Sequence, residues 1–310
     1  MADTPAGAMA VGRGPARPWP GSRLLRRMAR LVSRPGPRHA APILLLLLAG
    51  FAVPLGLVIA FSFIEPRTFE LWSAPTLANY RTIVSETFYL SFLWSLGLAA
   101  ATVILLLALC YPLAYALAKV FGRWASLLTL FLVIPLFVSE NVRLYGWFIF
   151  FIKQGVLLGG IEALTGIALE SILFTLPAIV FGLVYVHLPF MLFPMTLGLS
   201  MVPREMTEAA GDLGASRLQV FREVELPLAM PGMVIGCLLT FVLAVGALSE
   251  AKILGGQAVI VVVHDIIINF TYAQNWPLGS ALSVLLILLV GALVVLVLRR
   301  FDLDAILGRR

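Results

Sequence analysis

Few residues in this chain have the types and spacing to do chemistry, and those that do stand among apolar neighbours. Glu140 and Arg143 are three apart with Asn141 between them, a spacing that puts an acid and a base on one face of a helix. Such a set serves either as an ion pair that locks helices together or as polar lining of a path. His187 lies between Val186 and Leu188-Pro189, placed to be a pathway or proton-linked group or simply to hydrogen-bond a neighbouring helix. Glu250 and Lys252 form another pair, followed by His264, Asp265, Asn269 and Gln274 in the same stretch. His39, His187 and His264 are scattered and form no ligand cluster, and Cys110 and Cys237 sit in apolar stretches as small buried hydrophobes. There is no G-x-x-x-x-G-K-[ST], H-E-x-x-H or G-x-S-x-G. The expectation is therefore no metal, no cofactor and no nucleotide site. An intramembrane enzyme would need paired acids or a nucleophile with its base, and only Glu140 with Arg143 comes near.

What must position these residues follows from composition. Of 310 residues, 61% are hydrophobic and 12% charged, half the charge of a soluble domain, and mean hydropathy is +1.01. Apolar residues come in long blocks, without the alternation of an outer-membrane barrel. The class is an all-α integral membrane protein. Six stretches approach or exceed the roughly 20 apolar residues a crossing helix needs: 41–64, 88–118, 124–152, 171–203, 226–249 and 276–298. The third holds Glu140, Asn141 and Arg143, with Pro135 expected to kink it. The run 253–263, with Gly255 and Gly256, is too short to span and reads as a re-entrant piece covered by protein.

Net charge is +6, and most basic residues flank the apolar spans, so topology explains them better than nucleic acid does. Eight arginines precede the first span; Lys119, Arg123, Arg204, Arg217, Arg222, Arg299, Arg300, Arg309 and Arg310 occupy alternate loops and the tail. The opposite loops hold only Arg67, Arg81, Lys153 and Lys252. The positive-inside rule then puts both termini in the cytoplasm. Residues 1–40 read as an Arg-rich cytoplasmic arm, disordered and in contact with anionic lipid; 41–300 form the membrane domain; 301–310 are a short tail. Trp72, Tyr80, Trp147 and Trp276 read as interfacial anchors, and no aromatic cage for an ammonium group is assigned.

Residues 203–231 are polar, cytoplasmic by this topology, and patterned. Pro203 and Glu205 suit a helix start, and Met206, Ala209, Ala210 and Leu213 form one apolar face. Gly214 suits the left-handed residue that ends a helix, and Ser216 with Gln219 matches a capping box for a second helix with Leu218, Phe221 and Val224 on its apolar side. Pro227 and Pro231 are expected to loosen the junction to the fifth span. An exposed amphipathic helix pair of this kind invites a protein partner.

Glu208-Ala209-Ala210, then Gly214, then Val224-Glu225-Leu226-Pro227 resembles the EAA signature of inner-membrane permease subunits of ATP-binding-cassette importers, with Val224 where Ile is usual. Thr76-Leu77-Ala78-Asn79-Tyr80 resembles the segment before the second span of these permeases. Ser139 to Arg143 with Tyr145-Gly146-Trp147, Leu254-Gly255-Gly256, and Trp276 to Ala281 resemble the spermidine/putrescine permease subgroup, while Leu248-Ser249-Glu250-Ala251-Lys252 departs from its usual Thr-Pro-containing form.

The resemblance implies a type I importer permease fold of six helices. It implies that 203–227 is a coupling loop in which Glu208, Ala209, Ala210 and Gly214 dock on an ATPase subunit, which binds ATP and magnesium. It also implies a second permease, a periplasmic solute-binding protein and a small solute, a polyamine first, with phosphonates, opines or amino-acid-like solutes as alternatives. Glu140, Asn141, Arg143, His187, Glu250 and Lys252 are then candidates for the translocation path. Within that scheme Glu250 and Lys252 face the solute or the binding protein, or stand in a solvated loop. A self-contained secondary transporter or channel would leave the loop signature unexplained.

Overall fold

A computed structural model describes residues 35–70, 74–256 and 258–300. The arm up to residue 34, Trp72 and the tail 301–310 lie outside the described residues. The chain divides at Leu57/Val58 into two compact units. Of the first, α1 (Pro35–Ser62) is described; it carries no charge from Pro42 onward, and its last turn belongs to the second unit.

The second unit holds the remaining helices: α2 (Ala78–Ser85), α3 (Phe88–Tyr115), α4 (Trp124–Val133), α5 (Glu140–Phe151), α6 (Val156–Thr165), α7 (Leu176–Ser200), α8 (Arg204–Asp212), α9 (Arg217–Gln219), α10 (Leu226–Val245), α11 (Ser249–Ile253), α12 (Val262–Thr271) and α13 (Trp276–Arg300). Among the described residues, six stretches are long and apolar enough to cross a membrane: Pro42–Ser62, Phe88–Val120, Glu140–Thr165, Leu176–Ser200, Arg217–Val245 and Trp276–Arg300.

The core is built where α3, α7 and α10 meet. Leu106, Cys110 and Ala114 of α3, Met191, Leu192, Met195 and Leu199 of α7, and Ala229 of α10 are buried together. In lipid, apolar side chains gain little by leaving the solvent for each other, so close backbone approach through small residues carries much of the association. That approach is visible at Gly198 and Gly232. A Cβ on Gly198 would lie 2.8 Å from the Ala229 carbonyl and 2.9 Å from Gly232 Cα, and one on Gly232 would collide with the Pro194 carbonyl.

Two ends of the bundle are tied by side chains. At one, Lys119 Nζ donates to the Val202 carbonyl over 2.7 Å, joining the end of α3 to the end of α7. At the other, Asn79 Nδ2 donates to the Ser62 and Ile64 carbonyls over 3.1 and 2.7 Å, and the Tyr80 hydroxyl donates to Ser62 Oγ over 2.8 Å. Asn79 therefore caps the carbonyls left free at the end of α1, which gives the Thr76–Tyr80 segment a structural reason.

The third crossing differs from the single kinked helix expected over 124–152. A 3₁₀ turn at Ile134–Phe137 carries Pro135, Val138 and Ser139 are extended, and α5 starts afresh at Glu140. Pro135 lacks an N–H and cannot continue an α ladder, and Ser139 (φ −52°, ψ 136°) has the backbone of a helix-starting residue. The Ser171 hydroxyl donates to the Phe151 carbonyl, tying the end of α5 to the segment that leads into α7; the long apolar stretch here is Glu140–Thr165, and Trp124–Phe137 is a shorter apolar helix before it.

The junction before the fifth span also differs from expectation. It is not loosened at Pro227: α9, a π-helical stretch Val220–Glu225 and α10 run on without a break. Pro227 falls within the first two residues of α10, where a missing N–H costs nothing, and Pro231 is carried inside that helix.

Candidate functional site

The exposed loop between α7 and α10 is rigidly made. Pro203 has extended φ/ψ and α8 begins at Arg204, with Glu205 in its first turn against the positive end of the helix dipole. The C-terminus is a complete Schellman motif: the Ala215 N–H donates to the Ala210 carbonyl (3.1 Å) and the Gly214 N–H to the Gly211 carbonyl (2.9 Å), with Gly214 left-handed at φ +85°. The Ser216–Gln219 capping box is formed, with the Ser216 N–H donating to Gln219 Oε1 over 2.8 Å. The sequence reading of this loop holds in each of these parts.

Its apolar groups find no cover among the described residues. Met206 is 51%, Leu213 89% and Leu218 62% exposed; Glu208, Ala209 and Gly214 are exposed and Ala210 is half-buried. The loop is nevertheless anchored at its root, where Phe221 packs edge-on against Tyr111 of α3 (5.5 Å) and Glu225 is buried. Neither contact was legible, since Tyr111 and Phe221 read as ordinary apolar positions; Lys119 read as a topology charge and not as the cap of α7.

The polar candidates gather elsewhere, and four of the six come together. His187, the twelfth residue of the 25-residue α7, is buried, and its Nδ1 lies 3.8 Å from Glu250 Oε1. Glu250 sits on α11, which packs on both α5 and α7, and Glu140 and Arg143 of α5 are near enough to act on its charge. Arg143 stacks over the Tyr185 ring at 5.5 Å, and Tyr185 joins Phe181, Trp147, Phe150 and Phe151 in one aromatic cluster. Asn141 and Lys252 are exposed.

Two expectations are corrected by this geometry, the Glu140–Arg143 pair and the solvated Glu250. Glu140 and Arg143 do not pair with each other; among the described residues the one acid–base contact is His187 with Glu250. The reason is the break before α5, which puts Glu140 in the first turn against the helix dipole and sends Arg143 onto Tyr185. His187 hydrogen-bonds its own helix, Nδ1 to the Leu183 carbonyl at 2.8 Å, and the Leu243 backbone of the neighbouring α10 also acts on its ring. Glu250 is not in a solvated loop but 0% exposed, because α11 turns back into the bundle. Trp147 is half-buried and packs on four rings.

The segment after α11 is covered by protein, as expected of the run 253–263. Leu254, Val259 and Val261 are buried, the Leu254 carbonyl accepts from the Phe174 N–H (2.7 Å), and the Val262 N–H opening α12 donates to Ser95 Oγ (2.9 Å). Gly256 is left-handed at φ +60° against the Phe174 ring. On α12, burial pushes the Asp265 carboxyl above its ordinary 3.8, partly offset by Ser91, while Asn269 is buried and bonds back to the Asp265 carbonyl. His264 is half-buried, and Gln274 lies exposed beyond the helix.

A bundle of crossing helices, a polar cluster level with the middle of α7, and a rigid uncovered helix between the fourth and fifth spans define a membrane permease subunit. The binding-protein-dependent transport system inner membrane component family matches residues 111–303, and the chain belongs to that family. It is 34% identical over 250 residues to the spermidine/putrescine transport system permease protein PotB of Haemophilus influenzae, covering 78% of this chain and 85% of that one. PotB of Escherichia coli is 35% identical over 70% of this chain and 79% of its own. The Escherichia coli inner membrane ABC transporter permease protein YdcU is 29% identical over 74% and 78%. Among solved structures, a bacterial ABC transporter involved in the import of the acidic polysaccharide alginate superposes with a TM-score of 0.65 at 14% identity, covering 88% of this chain and 98% of that one, a likeness of fold. The chain is thus a multi-pass inner-membrane subunit of a binding-protein-dependent importer.

Proposed function

We propose that this permease moves a polyamine, spermidine or putrescine, and that α8 with Gly214 couples it to a separate ATPase. The observation that carries the coupling is the uncovered apolar face of α8, held in one shape by the Schellman turn at Gly214. A docking element needs both properties, and Met206, Leu213 and Leu218 give it an exposed apolar patch in the polar loop. The polyamine assignment is supported by the names of the PotB relatives, which cover four-fifths or so of their own length.

In this reading both termini, the α7–α10 loop and the Lys119–Arg123 turn face the cytoplasm. ATP and magnesium belong to the ATPase; this chain supplies the path. A second, homologous permease completes the cavity, and a periplasmic binding protein delivers the solute. Asn141, Lys252 and the exposed edge of Glu140 are the polar groups available to line the path. His187 and Glu250, enclosed in the subunit, act on it from behind. Closure of the ATPases on ATP moves α8, and through α9 and the π-helical stretch it moves α10, which is packed on α7 at Gly198 and Gly232.

The test is ATP-dependent uptake of labelled spermidine and putrescine into liposomes holding the chain with the ATPase, second permease and binding protein encoded beside it. Uptake competed by unlabelled polyamine but not by phosphonate, opine or amino acid is the expected result. Competition by one of those instead moves the solute and leaves the importer intact. Uptake without ATP, by the chain alone, would replace the importer with a secondary transporter or channel.

A further inference from the structure

The polar cluster contains two opposite charges that ought to be partners and are not. Glu250 is fully enclosed, and among the described residues neither carboxylate oxygen has a hydrogen-bond partner. His187 gives it little: Nδ1 faces the Leu183 carbonyl at 2.8 Å, a carbonyl only accepts, and so the Nδ1 proton is spent there while Glu250 Oε1 stands at 3.8 Å. On the neighbouring α5, Arg143 has a buried Nε that is also without a partner, and its guanidinium rests on the Tyr185 ring. Glu140, one turn earlier on α5, does not take it. Burial of a lone carboxylate and of an unsatisfied guanidinium nitrogen is costly, and mutual pairing of the two would relieve both.

The element that carries Glu250 is short and flanked by glycines. α11 is five residues long, with Gly246 before it and Gly255 and left-handed Gly256 after it. It rides over Gly182 of α7, where a Cβ would come within 3.3 Å of Glu250 Cβ and Cγ, so no side chain of α7 blocks it at that point. It packs on α5 at the same time.

We propose that Glu250 is a partner-switching residue: it stands against His187 of α7 in the arrangement described, and in the alternate arrangement of the transport cycle it takes the Arg143 guanidinium of α5, with α11 moving as a unit. It is a positioning residue and touches no solute. This rests on the importer reading, because the cycle supplies the second arrangement.

The experiment uses the complete transporter in liposomes, with Glu250→Gln, Arg143→Gln, and the reciprocal swap Glu250→Arg with Arg143→Glu. Each single variant is expected to lower maximal uptake about tenfold, a typical strength of coupling between two elements, with the half-saturating solute concentration unchanged. The swap is expected to regain most of the loss. A raised half-saturating concentration at unchanged maximum would make these solute contacts and overturn the switch, as would a swap no better than the single variants. Where the swapped complex does not assemble, disulfide trapping decides. Arg143→Cys with Glu250→Cys, in a chain whose Cys110 and Cys237 are alanine, should cross-link more in the ATP-trapped complex than in the nucleotide-free one. Equal yield in the two states overturns the proposal. Failure of the unaltered complex to take up polyamine is a failure of the solute assignment, and the trapping result still stands apart from it.

Discussion

Gly214 shows how one backbone angle sets what may replace a residue. Nothing lies within 4 Å of a Cβ placed there, so space does not restrict it; φ +85° does. A non-glycine residue pays about 1–2 kcal/mol in that region, Asn less and β-branched residues more. Gly214→Asn is therefore expected to keep most uptake and Gly214→Val to lose it, with both complexes still assembled, as uptake and co-purification of the ATPase will report. Lys119 acts at the same end. Its bond to the Val202 carbonyl is charge-assisted, worth about 1.5–3 kcal/mol, so Lys119→Met should lower the thermal midpoint of the purified chain and loosen the start of the α8 loop. Asp265 carries a pH signature. Its carboxyl sits above its ordinary 3.8 because burial disfavours the charged form, so the folded chain holds that proton longer than the unfolded chain. Stability contributed by the neutral acid is full below 3.8 and falls as pH rises through its raised value. Asp265→Asn should flatten that fall in a pH series of melting curves; an unchanged slope would assign the dependence to another group.

At the scale of elements, the contact between α7 and α10 decides whether motion of the loop reaches the membrane. Gly232→Ala puts a methyl into the Pro194 carbonyl and Gly198, and overpacking of this kind costs about 1–3 kcal/mol. Gly291→Ala, with nothing within 4 Å, is the matched control. Melting of the two variants in detergent should separate them, Gly232→Ala lower and Gly291→Ala unchanged. Five crossings and the α8 turn were legible in the sequence because long apolar runs and cap residues act locally. The break at Val138–Ser139 was not, because Pro135 within an apolar run signals a kink and a break alike, and packing chooses between them. The site was legible as a set of residues and not as a geometry. Glu140, Arg143, His187 and Glu250 each stood out by charge in apolar surroundings. That α11 folds back to set Glu250 beside His187 depends on Gly182 and Leu254, two residues of no chemical note that permit the approach.

For the whole molecule, orientation follows from charge once the ends are identified. Lys119, Arg123, Arg204, Arg217 and Arg222 lie in the turns at the end tied by the Lys119–Val202 bond, and Arg299 and Arg300 close the helix that ends on the same side if six crossings alternate. The other end, where Phe61, Phe69 and Phe270 surround Trp276 and Asn275 holds the Arg67 N–H, carries Arg67, Arg81, Lys153 and Lys252. An excess of Lys and Arg in short loops marks the cytoplasmic side, so α8 should face the compartment that holds ATP. Single cysteines at two exposed positions test this in intact spheroplasts with a membrane-impermeant maleimide. Leu164→Cys, 89% exposed at the end of α6, should label from outside, and Asp212→Cys at the end of α8 should label only after the membrane is opened. Native Cys110 and Cys237 lie within α3 and α10 and give the background. Labelling of Asp212→Cys from outside would invert the bundle and leave the uncovered face of α8 in the periplasm, where no ATPase could dock. Protection of Asp212→Cys in opened membranes when the ATPase is present, and its loss when the ATPase is stripped, would fix both the side and the occupant of that face.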